Sequence, residues 1–265
     1  MEKMYITYLK NSIPPLLVLI FVVCIHYTIT YAVLEPTRRF LLPPPHSIIY
    51  EGFFVPKHRD EIIRGLLITT KVSLIGLSIA YIIGFITALL MSQAKWIERS
   101  LYPWAVFTQT VPILALVPII GFWFGFDILA RIIVVVIISI FPIIINTLTG
   151  LRGASSSLHD LLTLHNATRW TRATKLMIPY SLPDMFTGLR TSAGLAIIGS
   201  IVGDFFFGRG SPGLGMLLKA YGQRLRTEEL LSATLVSCLL GITVFWGFSY
   251  IGRKLVGHWS ESWSS

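Results

Sequence analysis

Five stretches of this chain, residues 11–34, 72–91, 101–126, 132–151 and 230–252, contain no lysine, arginine, aspartate or glutamate. Each reaches the about 20 residues that an α-helix needs to cross a hydrocarbon core. A shorter block, 191–203, is bracketed by Arg190 and Asp204; placing those charges near the two interfaces gives a sixth span over roughly 185–207. Backbone polar groups in lipid must be paired within the protein, which leaves helices and closed barrels as the spanning forms. A barrel would read as short alternating segments. These uniform blocks predict an all-α, polytopic membrane protein with six transmembrane helices. Only 13% of residues are charged and the mean hydropathy is +0.70, against about 25% charged in soluble domains.

The apolar run after Lys3 and Lys10 continues to Leu34 without a small-x-small cleavage site, so an uncleaved anchor helix is expected rather than a secretory signal. Cys24 and Cys238 both fall inside predicted spans and imply neither a disulfide nor a metal site. The net charge of +9 comes from basic residues flanking helices, not from a nucleic-acid surface. Lysines and arginines divide almost evenly between the two sides, so charge counting does not orient the chain. The division expected is an N-terminal anchor helix with an outer Pro-rich segment (1–59), a core (60–255) containing a long polar loop (152–184), and a tail (256–265). Prolines at 36, 43–45 and 56 predict an extended or irregular connection over 35–60.

The block 101–126 carries Pro103, Pro112 and Pro118, which predicts a helix kinked or broken near its middle. In a membrane such a break lines a cavity or is buried by neighbours. Pro112 and Pro118 are therefore candidate pathway or gate residues, with ordinary proline tolerance as the competing explanation. Gly199 and Gly203 have the spacing that lets helices approach closely, and packing is the plainer role for them. Asp204, followed by three phenylalanines, is the intramembrane charge hardest to excuse and a further gate candidate. Asp127 and Arg131, four apart, are expected to pair with each other, and Arg190 to snorkel towards an interface.

The loop 152–184 is polar and basic. Leu158, Leu161 and Leu162 sit at i, i+3 and i+4 on one face of a short helix. Asp160 lies near its start, where negative charge suits the helix dipole. Asn166 tolerates the left-handed conformation that a turn between two helices needs. Arg169, Arg172 and Lys175 recur every third residue beyond it, and Pro179 and Pro183 mark re-entry into the apolar region. The chain has no GxxxxGK[ST] phosphate loop, no HExxH and no CxxC, and His159 and His165 are poorly spaced for a metal.

The order Asp160-Leu161-Leu162, then Asn166, then Leu176-x-Ile178-Pro179 resembles the cytoplasmic docking loop of ABC-importer permeases. PILALVPIIGFWFGF (112–126), FPIIINTLTGLR (141–152), ATRW (167–170) and SLPDMFTGLRTSAGL (181–195) are similar to the subfamily serving nitrate, sulfonate, taurine, bicarbonate and pyrimidine-precursor importers. The family carries Glu-Ala-Ala and Gly where this chain has Asp160-Leu161-Leu162 and Asn166. The resemblance implies a type I permease fold with both termini cytoplasmic in the cell membrane. It implies a second permease copy, two ATPase subunits and an extracytoplasmic solute-binding protein as partners. Leu158, Asp160, Leu161, Leu162, Asn166 and Pro179 would form the ATPase-coupling surface. No cofactor is expected on this chain, since ATP and Mg would sit on the ATPases. A pyrimidine or vitamin precursor is favoured as solute over the small anions. An ion-driven secondary carrier and an integral-membrane enzyme are the competing classes. The first should show inverted repeats and an acidic relay, the second clustered catalytic groups.

Overall fold

A computed structural model describes residues 2–207, 209–260 and 263. No strand occurs among them. The helices in chain order are α1 (Glu2–Thr28), α2 (Pro45–Ile49), α3 (Pro56–Gln93), α4 (Lys95–Thr110), α5 (Ile113–Phe124), α6 (Ile128–Arg152), α7 (Ser156–Leu164), α8 (Arg169–Arg172), α9 (Ile178–Phe206), α10 (Leu214–Gln223) and α11 (Thr227–Val256). Five continuous helical stretches are long and apolar enough to cross a membrane: Ile13–Val33, Pro56–Gln93, Ile128–Arg152, Arg169–Phe206 and Thr227–Val256. The pair α4 and α5 supplies a sixth when counted as one broken span, with its two halves bent by 100°. The break falls at Val111-Pro112. Pro112 is the N-cap of α5 at φ −67°, ψ 95°, and its missing N–H cannot extend α4.

The chain resolves into two compact units. The first comprises Met1–Ile63 with Leu217–Leu235. Here the Pro-rich connection, expected to be extended or irregular, is a run of short turns with Pro44 extended at φ −64°, ψ 148°. A 3-10 turn at Pro36–Leu41, α2 and a π turn at Tyr50–Phe54 make up the run. The reason is positional: Pro36 and Pro45 each stand in the opening turn of a helix, where a missing N–H costs nothing. The folded connection is then tied to the end of the first span. Thr30 Oγ1 donates to the carbonyls of His26 (2.9 Å) and Leu42 (3.0 Å), and Tyr27 Oη lies 3.0 Å from His46 Nδ1. The outward residues of α1, Leu16 to Val22, are all exposed apolar side chains, as a lipid-facing anchor requires.

The second unit comprises Arg64–Met216 with Val236–Ser265 and is organised around α6 packed on α9. Small residues make this approach possible. A Cβ added at Gly188 would stand 2.9 Å from the Pro142 carbonyl, and one at Gly199 3.0 Å from Val135 Cα. Ser192 Oγ donates to the Ser139 carbonyl at 2.6 Å, so the contact is sealed by a buried hydrogen bond as well as by packing. Gly203 sits against Arg131 Cα in the same seam.

One charge near the end of a span finds partners that its local sequence does not name. The Arg190 guanidinium lies 5.1 Å from both the Phe245 and Trp263 ring centroids. Aromatic faces offer a delocalised cation an alternative to water. Trp263 is buried and donates through Nε1 to the Pro183 carbonyl at 3.2 Å. Of the expected tail 256–265, residues 261, 262, 264 and 265 lie outside the described residues, as does Gly208 of the outer glycine-rich run.

Candidate functional site

The polar loop forms the helix–turn–helix that its sequence implies. α7 ends in a left-handed residue, Asn166 at φ +51°. The Ala167 N–H donates to the Leu162 carbonyl at 2.9 Å, and the Asn166 N–H to the Thr163 carbonyl at 3.0 Å. That pair of bonds is the Schellman closure, normally built on glycine. Asn is the side chain that fills the same conformation at least cost. Thr168 then caps α8, accepting from the Thr171 N–H at 3.1 Å. A π turn at Ala173–Met177 leads directly into α9, where Pro179 stands exposed in the first turn.

No residue of α7 is buried. Leu158, Asp160 and Leu161 are exposed and Leu162 is half-buried. Leu164, at 80% exposure, and Trp170, at 72%, extend the apolar surface. Both were passed over in the sequence, although Leu164 continues the three-residue spacing of Leu158 and Leu161. Leu158, Leu161 and Leu164 thus stand exposed on a short helix that buries none of its residues.

The root of the loop is clamped. Arg152 makes a two-pronged contact with Glu98, Nη1 to Oε1 at 2.5 Å and Nη2 to Oε2 at 2.6 Å, joining the end of α6 to the start of α4. Neither residue stands out in the sequence, because charges flanking spans are commonplace and their partner is far along the chain.

The broken span borders a cavity of about 330 Å³. Thr108, Gln109 and Val111 come from the break, Ile138 and Phe141 from α6, and Ile198 from α9. None of its lining residues is ionisable. Of the gate candidates, Pro112 makes the bend beside this cavity, and Pro118 lies within α5. Gly199 and Gly203 are spent on the α6 contact.

Asp204 is paired, and not with a relay. Its side chain and that of Arg131 are each 2% exposed, with Nη1 of Arg131 2.6 Å from Oδ1 of Asp204. Arg131 also donates to the carbonyls of Ser211 (3.0 Å), Phe207 (3.3 Å) and Arg209 (2.5 Å). Asp204 accepts from the N–H groups of Gly213 (3.3 Å) and Met216 (2.7 Å). The pair thus staples the loop following α9. The expected Asp127–Arg131 pair does not form, since the Asp127 carboxylate turns back to cap α6, accepting from the Ile128 N–H at 2.7 Å.

In the first unit, Glu51, His58 and Glu229 converge. Nδ1 of His58 lies 3.2 Å from Glu51 and 3.7 Å from Glu229, but Nε2 lies 2.6 Å from Arg226 Nη2, which also bonds Glu229. A guanidinium is always a donor, so Nε2 must accept and the proton resides on Nδ1. A metal ion would have to displace both that proton and Arg226. The cluster is a charge network.

Residues 80–257 match the family described as binding-protein-dependent transport system inner membrane component. The formylaminopyrimidine transport permease protein ThiX of Halalkalibacterium halodurans is 31% identical over 78% of this chain and 81% of its own. A putative aliphatic sulfonates transport permease protein, SsuC of Bacillus subtilis, is 26% identical over 84% of this chain and 79% of its own. Among solved structures, an inward-facing MetNI methionine ABC transporter matches with a TM-score of 0.65, covering 75% of this chain and 98% of that one at 15% identity. That last likeness concerns the fold alone. In this family of permeases ATP hydrolysis belongs to partner ATPase subunits. With its apolar spans, its broken helix and its unburied loop helix, the chain belongs to the binding-protein-dependent transport system inner membrane components: it is the permease subunit of an ABC importer.

Proposed function

We propose that two copies of this permease enclose a solute path, that α7 of each docks on a separate ATPase subunit, and that both chain termini lie in the cytoplasm. The observation that carries the docking is the unburied α7, whose Leu158, Leu161 and Leu164 face away from the chain's own core. ATP binding then closes the ATPase dimer, draws the two α7 helices together and opens the path towards a solute-binding protein on the far side. Hydrolysis resets it. The Glu98–Arg152 clamp supports this reading, because it stiffens the point where the loop joins α6 and so passes displacement of α7 into the span.

The solute is an uncharged, flat molecule of the pyrimidine or vitamin-precursor kind. Moving an unpaired ion into an apolar cavity is prohibitive, and the chamber at the α4–α5 break offers Thr108 and Gln109 as its polar groups. The name of the formylaminopyrimidine relative points the same way.

Replacing exposed Asp160 by Ala together with Leu161 by Ser tests the docking. Co-purification of the ATPase should fall at least about tenfold, the loss of one well-buried leucine contact, while the melting temperature of the permease stays put. Undiminished co-purification would remove α7 from the interface.

A further inference from the structure

A second cavity, of about 350 Å³, lies between α7 and the ends of two spans. Ser92 and Gln93 close α3 on one side and Met177 opens the approach to α9 on the other; His159, Arg169 and Arg172 complete the wall. None of its lining residues is a carboxylate. The nearby acids are accounted for: Glu98 is held by Arg152, and Asp160 makes no ion pair with either arginine among the described residues. Arg172 has used one N–H, on Thr163 Oγ1 at 3.1 Å. The Arg169 side chain has no partner among the described residues, so all five of its donors remain. Two guanidinium groups facing one polar hollow, with no acid to neutralise them, select a doubly coordinated oxyanion, and phosphate suits their fork geometry.

The level of the cavity narrows the source. It sits where the apolar runs of α3 and α9 stop, and exposed Trp96, Trp170 and Tyr180 stand beside its lining residues along the chain. Such aromatics collect at headgroup depth. Basic pockets between spans at that depth bind the headgroups of anionic lipids.

We propose that this cavity is a binding site for the phosphate of an anionic phospholipid headgroup, held by Arg169 and Arg172 at the base of the coupling loop. The site is an open hollow lined by residues of this chain, and it does not depend on the docking proposed for α7. Bound there, a phosphate neutralises the repulsion between the two arginines and joins the loop to the bilayer surface.

The test is native mass spectrometry of the full-length chain in a non-ionic detergent, loaded with phosphatidylglycerol, with phosphatidylcholine, or with inorganic phosphate. Phosphatidylglycerol should be retained about tenfold or more over phosphatidylcholine. Arg169→Gln with Arg172→Gln should abolish the preference, while Arg253→Gln with Lys254→Gln, which removes equal charge from the end of α11, should keep it. Displacement of the lipid by inorganic phosphate would support the phosphate site and assign its supply to solution; retention would assign it to the membrane. Equal retention of the two lipids, an undiminished preference in the arginine variant, or equal loss in the α11 variant would each overturn the site. So would loss of ATPase co-purification in the arginine variant with lipid binding intact. If the double variant does not fold, Arg169→Glu alone, at an exposed position, carries the same expectation.

Discussion

Arg131 and Asp204 offer the sharpest quantitative test of the fold. Each side chain is 2% exposed, and together they hold five backbone groups: the carbonyls of Phe207, Arg209 and Ser211 and the N–H groups of Gly213 and Met216. Asp204→Ala strands a buried guanidinium with only carbonyl dipoles against it. Arg131→Met strands a carboxylate and orphans three carbonyls. Breaking a buried pair from one side costs about 3–5 kcal/mol. At about 2–4 °C per kcal/mol for a chain near this size, each single variant should melt roughly 6–20 °C lower, followed by tryptophan fluorescence of the detergent-purified protein. In the double variant no charge is left unpaired, although the five backbone groups still lack partners. Its cost should therefore resemble that of one single variant rather than the sum, a coupling of about 3–5 kcal/mol. Single variants within about 1 kcal/mol of wild type, or a double variant additive to within about 0.5 kcal/mol, would refute the staple. Solute uptake should follow stability and show no separate proton dependence, as a relay role for Asp204 would require.

Three other outcomes are expected. Asn166→Gly should preserve both melting temperature and ATPase association, because glycine enters the φ +51° conformation freely, whereas Asn166→Val should cost about 1–2 kcal/mol and weaken association. Gly199→Ile forces a side chain towards Val135 Cα and should destabilise by about 1–3 kcal/mol or block folding, while Gly194→Ala meets nothing within 4 Å and should be neutral or stabilising by up to about 1 kcal/mol in the same melts. Burial, and then its bond to Glu61 Oε2 at 2.8 Å, push the Tyr221 phenol above its ordinary value of 10.0. The unfolded chain therefore releases this proton first as pH rises, so the contribution of Tyr221 to stability is flat below pH 10 and declines above it. Tyr221→Phe should lose about 0.5–1.5 kcal/mol at neutral pH and shed that part of the alkaline decline.

What the sequence revealed, and what it concealed, divides along a physical line. Features set by local composition were legible. The uncharged blocks become the spans; Pro112 breaks its helix; Asn166 takes the left-handed turn. Features set by which partner lies across the packed interface were not. Arg131 has an acid four residues behind it, and only the tertiary fold reveals that Asp127 is needed as a helix cap while Asp204 arrives from α9. Arg190 finds the aromatic rings of Phe245, on α11, and Trp263, neither of which its local sequence names. The Pro-rich connection was legible as irregular, but its short helical turns were not. A proline cluster reads as extended, yet a proline standing at a helix start promotes the helix, and position within an element is invisible until the element exists. The surface proposed for docking was half visible: Leu158, Asp160 and Leu161 from spacing, Leu164 and Trp170 only from exposure.

An α7 that buries none of its nine residues bears on how the subunits of the complex are supplied. A helix that short, unsupported by packing, is marginal in water. In a permease made in excess of its ATPase, this loop should fray, exchange its amide hydrogens quickly, and offer leucines and backbone to proteases. Docking removes all three liabilities together. If α7 docks as proposed, the surface that meets the ATPase in the finished importer would also serve as a degradation signal in the orphan subunit, letting the cell match permease abundance to ATPase abundance by turnover.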